Sequence, residues 1–163
     1  GIWDISGRQA IKRLWPSFYR FVSMSAVVFI VDPAIIEYPD VAKAARQMEE
    51  HKRDLLFMLN EDELRESAFI LLVNKRIPGD KDTDPPKKVT PEDKAALAKT
   101  FSHIFGLDDL HPSHTQPPPA RVEVIVTNIA AWPEPADQCR EWEAITKHIH
   151  SYHVTHDRKV IAK

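Results

Sequence analysis

Residues 58–75 read MLNEDELRESAFILLVNK: a helix end, a charged turn, and an apolar run, Ala68 to Val73, closed by Asn74 and Lys75. Six consecutive apolar residues are too few for a helix and leave no polar face. They suit a strand of a parallel sheet covered on both sides. Working outward, Ala26 to Val31 and Val122 to Val126 are similar short runs rich in Val, Ile and Phe. Helical spacing fills the intervals. Asp40 to Glu66 places Val41, Ala44, Ala45, Met48, Leu55, Leu56, Met58 and Leu59 among charges. Pro91 to Phe105 has Thr90 as N-cap, Pro91 at the first helical position, Leu97, Phe101, Ile104 and Phe105 on one side, and Gly106 as a stop. Pro135 to Tyr152 repeats the form with Trp142, Ile145 and Ile149. Strands alternating with helices predict right-handed parallel crossovers and a three-layer α/β domain.

The 163 residues, 43% apolar and 28% charged, suit one globular domain, predicted over 1–153 with a fraying tail over 154–163. A formal net charge of −2 supplies no field to gather nucleic acid or an anionic membrane. No apolar run approaches the roughly 20 residues of a membrane span, so a cytoplasmic protein is expected. Cys139 stands alone and is assigned no role. Gly1 is followed by Ile5 where a myristoylation signal wants Ser or Thr. Two stretches, 78–91 (PGDKDTDPPKKVTP) and 111–119 (HPSHTQPPP), combine charge and proline with few apolar residues and are expected as exposed loops. His148, His150, His153 and His156 are expected as surface residues near a helix C-terminus rather than metal ligands.

The N-terminal stretch WDISGRQAIKRLW, residues 3–15, carries a second signature: Trp3, Asp4, Ser6 and Gly7, then Ile11, Leu14, Trp15, Phe18 and Tyr19. With residues 58–75, it resembles the ADP-ribosylation factor (Arf and Arf-like) small GTPases over most of 3–75, and more loosely over 121–152. The resemblance implies a P-loop-NTPase-like parallel sheet flanked by helices, here without its N-terminal strands and phosphate loop. It also implies GTP or GDP with Mg²⁺, and vesicle traffic at the Golgi or other endomembranes. Asp4 would reach Mg²⁺ through water, and Gly7 would bring a backbone N–H to the terminal phosphate. Asn74 would tie loops together, the Lys75 stem would pack on the base, and the backbone around Thr127-Asn128-Ile129 would contact it. Effectors would meet the helix carrying Ile11, Leu14, Trp15 and Tyr19, although core packing is the competing reading of Trp3 and Trp15. Membrane association would need an N-terminal segment outside this sequence.

The departures are equally specific. Arg8 stands where the family carries its water-orienting Gln, and Gln9 lies one residue later, about 100° round a helix. Arg8 could neutralise developing charge, but it has no acceptor atom for a proton. After Asn74, Lys75 and Arg76 comes Ile77, so the acceptor for guanine's two N–H groups is missing; its loss costs on the order of 2 to 4 kcal/mol of discrimination. Asp80 could substitute only if its loop folded back. Four isolated glycines, Gly1, Gly7, Gly79 and Gly106, build no phosphate cradle, and no Gly-x-x-x-x-Gly-Lys-Ser/Thr occurs. Because Trp3 already lies inside the motif, the phosphate loop is expected upstream of Gly1. Two readings follow: an Arf-like nucleotide switch, or a degenerate relative serving as an interaction module with no bound cofactor. If the family's strand order holds, the three strands are neighbours at one side of the sheet, and the edge where the missing strands belong is expected to be exposed and apolar.

Overall fold

The computed structural model of the chain describes residues 1–37, 39–81, 83–107, 120–133 and 139–161, with side chains in the last helix through His156. The proline-rich stretch 111–119 and the expected helix start at Pro135 lie outside these residues. Three parallel strands, β1 (Ala26–Val31), β2 (Ala68–Asn74) and β3 (Val122–Thr127), form one sheet in the order β1-β2-β3. The register runs from Ala26 opposite Ala68 to Val31 opposite Val73, and from Phe69 opposite Val122 to Asn74 opposite Thr127. All three carboxyl ends therefore finish together, and that end carries Asp32, Asn74 and Asn128.

The helices are α1 (Gln9–Lys12), α2 (Trp15–Tyr19), α3 (Val41–Leu59), α4 (Pro91–Ile104) and α5 (Arg140–Ile161). On one face of the sheet, Met48, Leu55 and Met58 of α3 and Phe101 of α4 pack with Phe29, Val31, Phe69, Leu71 and Val73. On the other, Ile145 of α5 meets Ile70 and Leu72, with Ile149, Trp142 and Trp132 around them. Strict alternation along β2 thus feeds two cores, the three-layer α/β arrangement expected. Each fully buried Leu, Ile or Phe contributes about 1.5–3 kcal/mol relative to exposure. Beyond β2, the other neighbour position of β1 is empty among the described residues, and Val28 (39% exposed) and Ile30 (56%) point away from the larger core.

Three helix boundaries differ from the expectations. The helix expected through Glu66 stops at Leu59. Asn60 ends it as C-cap, with its Nδ2 donating to Leu56 O at 2.7 Å, and a short 3₁₀ turn, Asp62–Leu64, follows. Arg121, at the start of β3, fixes that stop: its Nη1 donates to Leu59 O at 2.8 Å and its Nη2 to Leu64 O at 2.7 Å, with the guanidinium 5.0 Å over the Phe69 ring. The single helix expected after Gly7 is broken into α1 and α2. Pro16 has no N–H to offer, and its ring would collide with the carbonyl four residues back, so the chain turns at Arg13-Leu14 and restarts. Finally, α5 continues past Tyr152 and Val154 to Ile161. The start of α4 matches its reading: Thr90 Oγ1 accepts from the Asp93 N–H at 3.2 Å, and Gly106 closes the helix at φ 67°.

Candidate functional site

The carboxyl ends of β2 and β3 are joined by a compact polar corner. Asn74, the last residue of β2, accepts from the Ile129 N–H through Oδ1 at 3.0 Å, and the Lys75 N–H donates to Thr127 O at 2.8 Å. Asn128, 2% exposed, donates from Nδ2 to Ile77 O at 3.1 Å and to Lys87 O at 2.8 Å. The Lys87 N–H also reaches Ile77 O at 3.0 Å. Ile77 and Lys87 are therefore pinched together at the base of the charged loop between them, and Asn128 clamps the pinch to the end of β3. Its Oδ1 is buried without a partner among the described residues. Beneath it, Thr127 Oγ1 accepts from Trp132 Nε1 at 2.7 Å.

Charges surround the corner in pairs. Lys75 Nζ meets Asp93 Oδ2 in the first turn of α4 at 3.0 Å, and Arg76 reaches Asp32 at 2.7 Å across the strand ends. Lys94 bonds Glu141 Oε1 at 2.5 Å, and the buried Cys139 thiol donates to Glu141 Oε2 at 3.3 Å. Burial pushes the Glu141 carboxyl up, but these two donors outweigh it and hold its pKa below the ordinary value. Asp80 sits in solvent beside Lys87 at 2.5 Å, so the folding back that would make it a base-reading carboxylate does not occur.

The N-terminal motif is built differently. Asp4, Gly7, Arg8 and Gln9 are all exposed, Arg8 as the N-cap residue of α1 and Gln9 as its first residue. A Cβ placed on Gly7 would touch nothing within 4 Å, so nothing here requires a glycine. Trp3 is 62% exposed, which overturns the core-packing reading of that side chain. Trp15 packs against the core and donates from Nε1 to Ser6 O at 3.2 Å. Of the residues expected to meet effectors, Leu14 is 49% exposed and Ile11 half-buried. Tyr19 is buried, so its expected surface contact is corrected. Burial, reinforced by the Glu61 carboxylate, pushes its hydroxyl pKa up to about 12.

The tie at the ends of β2 and β3 and the exposed Trp-Asp motif before α1 are the two candidate functional regions. The family model of the ADP-ribosylation factor family matches residues 1–92, more than half the chain. The chain belongs to the ADP-ribosylation factor family. Arf proteins bind guanine nucleotide with Mg²⁺, and the corner of this Arf-family chain fits that group only in part. Asn74 ties the loops, but the Ile129 N–H is spent on Asn74, Lys75 is engaged with Asp93, and Ile77 turns its carbonyl to Lys87 and Asn128. Ile77 stands where the family's guanine-reading carboxylate follows Asn74, and Asp93 and Asp32 are paired with Lys75 and Arg76. These residues do not make a guanine-specific pocket by themselves.

Two functional contacts escaped the sequence. The Asn128 side chain was assigned only a backbone role, yet its carboxamide holds the loop base. His148, expected on the surface, is buried, with Nδ1 3.8 Å from Glu123 Oε2; burial lowers its pKa against the opposing pull of Glu123. Its place between Ile145 and Ile149, facing inward on α5, was the available signal. His150 is exposed, and among the described residues no three His, Cys, Asp or Glu converge on a metal position. No described helix is long and apolar enough to cross a membrane.

Proposed function

We propose that this Arf-family chain acts as a protein-interaction module in vesicle traffic, presenting the surface around Trp3 and Leu14 to partner proteins without hydrolysing nucleotide. The observation that carries this reading is the pairing of an exposed Trp3 and Leu14 with a base-side corner whose polar groups are consumed internally. Exposed aromatic and aliphatic side chains are a ready anchor for a partner groove. Arg8 at the N-cap of α1 lacks the acceptor that orienting a water requires. The chain's place of work, by this reading, is the cytoplasmic side of the Golgi or a related endomembrane, reached through its partners.

The test is a pair of variants, Trp3→Ala with Leu14→Ala and, as a surface control, Phe57→Ala, each carried by the full chain and compared with wild type in partner capture from a membrane-traffic extract. Trp15 and Tyr19 are unsuitable for the experiment because they pack in the core. Loss of the same partners in the first variant alone supports the reading. Equal recovery from both rejects the surface.

A second reading, a guanine-nucleotide switch, draws on one observation: the bond from the Ile129 N–H to Asn74 Oδ1 ties the two loops that border a base in such switches. It requires a phosphate-binding segment in the same polypeptide. Its test is nucleotide titration of the longest natural form.

A further inference from the structure

Residues 1–14 bury no side chain, and the core contacts at this end of the chain come from Trp15 and Tyr19 of α2. Helix α1 has no buried residue, and α2 buries Tyr19 alone. The main polar attachment of this segment is one side chain. Lys12, half-buried, places Nζ 3.0 Å from Glu50 Oε1 and in hydrogen-bond contact with Asp54 Oδ2, both on α3. The same ammonium lies 6.0 Å from the centre of the Trp15 ring, and Trp15 Nε1 holds Ser6 O. One continuous set of contacts therefore joins the loop after Asp4 to α3: Ser6 to Trp15, Trp15 beneath Lys12, and Lys12 onto Glu50 and Asp54.

Glu50 and Asp54 are spaced i, i+4 on one helix face, an arrangement that repels and weakens a helix when uncompensated. Lys12 supplies the compensating charge. Burial draws its ammonium pKa down, but the bonds to Asp54 and Glu50 prevail and hold it above the ordinary lysine value, while Lys12 lowers the Glu50 carboxyl. Closing the contact thus relieves a like-charge pair on α3 and fixes residues 1–14, none of which is itself buried.

We propose that Lys12, Glu50 and Asp54 form an electrostatic latch that determines whether the segment bearing the Trp-Asp motif lies against α3 or swings away from it. The latch stands on contact geometry and does not depend on the interaction-module reading. The structure shows the docked arrangement; release would leave Glu50 and Asp54 without their lysine, a position that an incoming cationic side chain could occupy.

Amide hydrogen exchange of the full chain tests it, with peptides from segment 1–20 compared with those from β2. Breaking the latch with Lys12→Met speeds exchange in 1–20 by about five- to tenfold while β2 protection stays unchanged. The charge swap Lys12→Glu with Glu50→Lys and Asp54→Lys restores slow exchange, an outcome that mere loss of lysine packing would not give. In the wild type, raising NaCl from low to molar concentration speeds exchange in 1–20, and in Lys12→Met it does not. Unchanged exchange in Lys12→Met, or salt-independent exchange in the wild type, overturns the latch. Should Lys12→Met lose β2 protection as well, the wild-type salt response decides the matter alone.

Discussion

The two halves of the family signature are held by opposite means. At the ends of β2 and β3, Asn74 and Asn128 are woven into backbone: one accepts from Ile129, the other grips Ile77 and Lys87 from inside a nearly dry environment. Around Asp4 and Gly7 the side chains face water, and their segment is fastened by a lysine and an indole. The Asn-Lys corner therefore has a structural reason to exist whether or not a base ever meets it, because it ties the base of the charged loop to the ends of β2 and β3. Asp4 and Gly7 have no such bonds: both are exposed, and a side chain on Gly7 would touch nothing within 4 Å.

That contrast can be broken most directly at Asn128. Asn128→Ala removes the bonds to Lys87 O and Ile77 O, the latter keeping the Lys87 N–H, and should lower stability by roughly 1 to 3 kcal/mol, read as a reduced urea midpoint at constant slope. Asn74→Ala leaves the Ile129 N–H unpaired and is expected to cost about 1 to 2 kcal/mol by the same measurement. If either change proved neutral, the corner would not be structural. Lys75→Met removes a half-exposed ion pair with Asp93 and should cost less than about 1 kcal/mol. At the other extreme, Asp4→Ala should leave the midpoint where it is, since Asp4 is exposed. A large shift there would show that the N-terminal motif is structural too.

His148 adds a pH-dependent test on the far face of the sheet. Its folded pKa lies below the ordinary histidine value because it is buried. Below that ordinary value, near 6.5, the unfolded chain takes up a proton that the folded chain refuses, so stability falls as pH is lowered through the interval between the two. Urea midpoints measured across this range should decline on acidification, and His148→Gln should flatten the decline. An equal slope in the variant would assign it to other groups.

Much of the scaffold was legible because its signals are local. Unbroken apolar runs marked β1 and β2, a run interrupted only by Glu123 marked β3, and Thr90-Pro91 with Gly106 bracketed α4 nearly to the residue. Pro16 was equally visible, but the helical spacing of Ile11, Trp15 and Phe18 masked the break it forces. The less legible features depend on distant partners. Arg121 finds Leu59 and Leu64 O across the fold, Lys12 finds Glu50 and Asp54 on α3, and Asn128 finds Ile77 and Lys87. A long polar side chain carries no mark of which carbonyl or carboxylate it will reach. The site was legible as residue types and illegible as bonds: Asn74 and Lys75 could be named, but not that Lys75 is taken by Asp93.

The central claim is that the polar corner at the strand ends serves the fold of this chain and does not read a guanine base. Calorimetric titration of the purified chain with GDP and Mg²⁺ addresses it in one step. The expected result is no saturable heat up to millimolar nucleotide, with Asn74→Ala destabilised all the same. Saturation at low micromolar GDP, abolished by Asn74→Ala in a variant that remains folded, would contradict the claim.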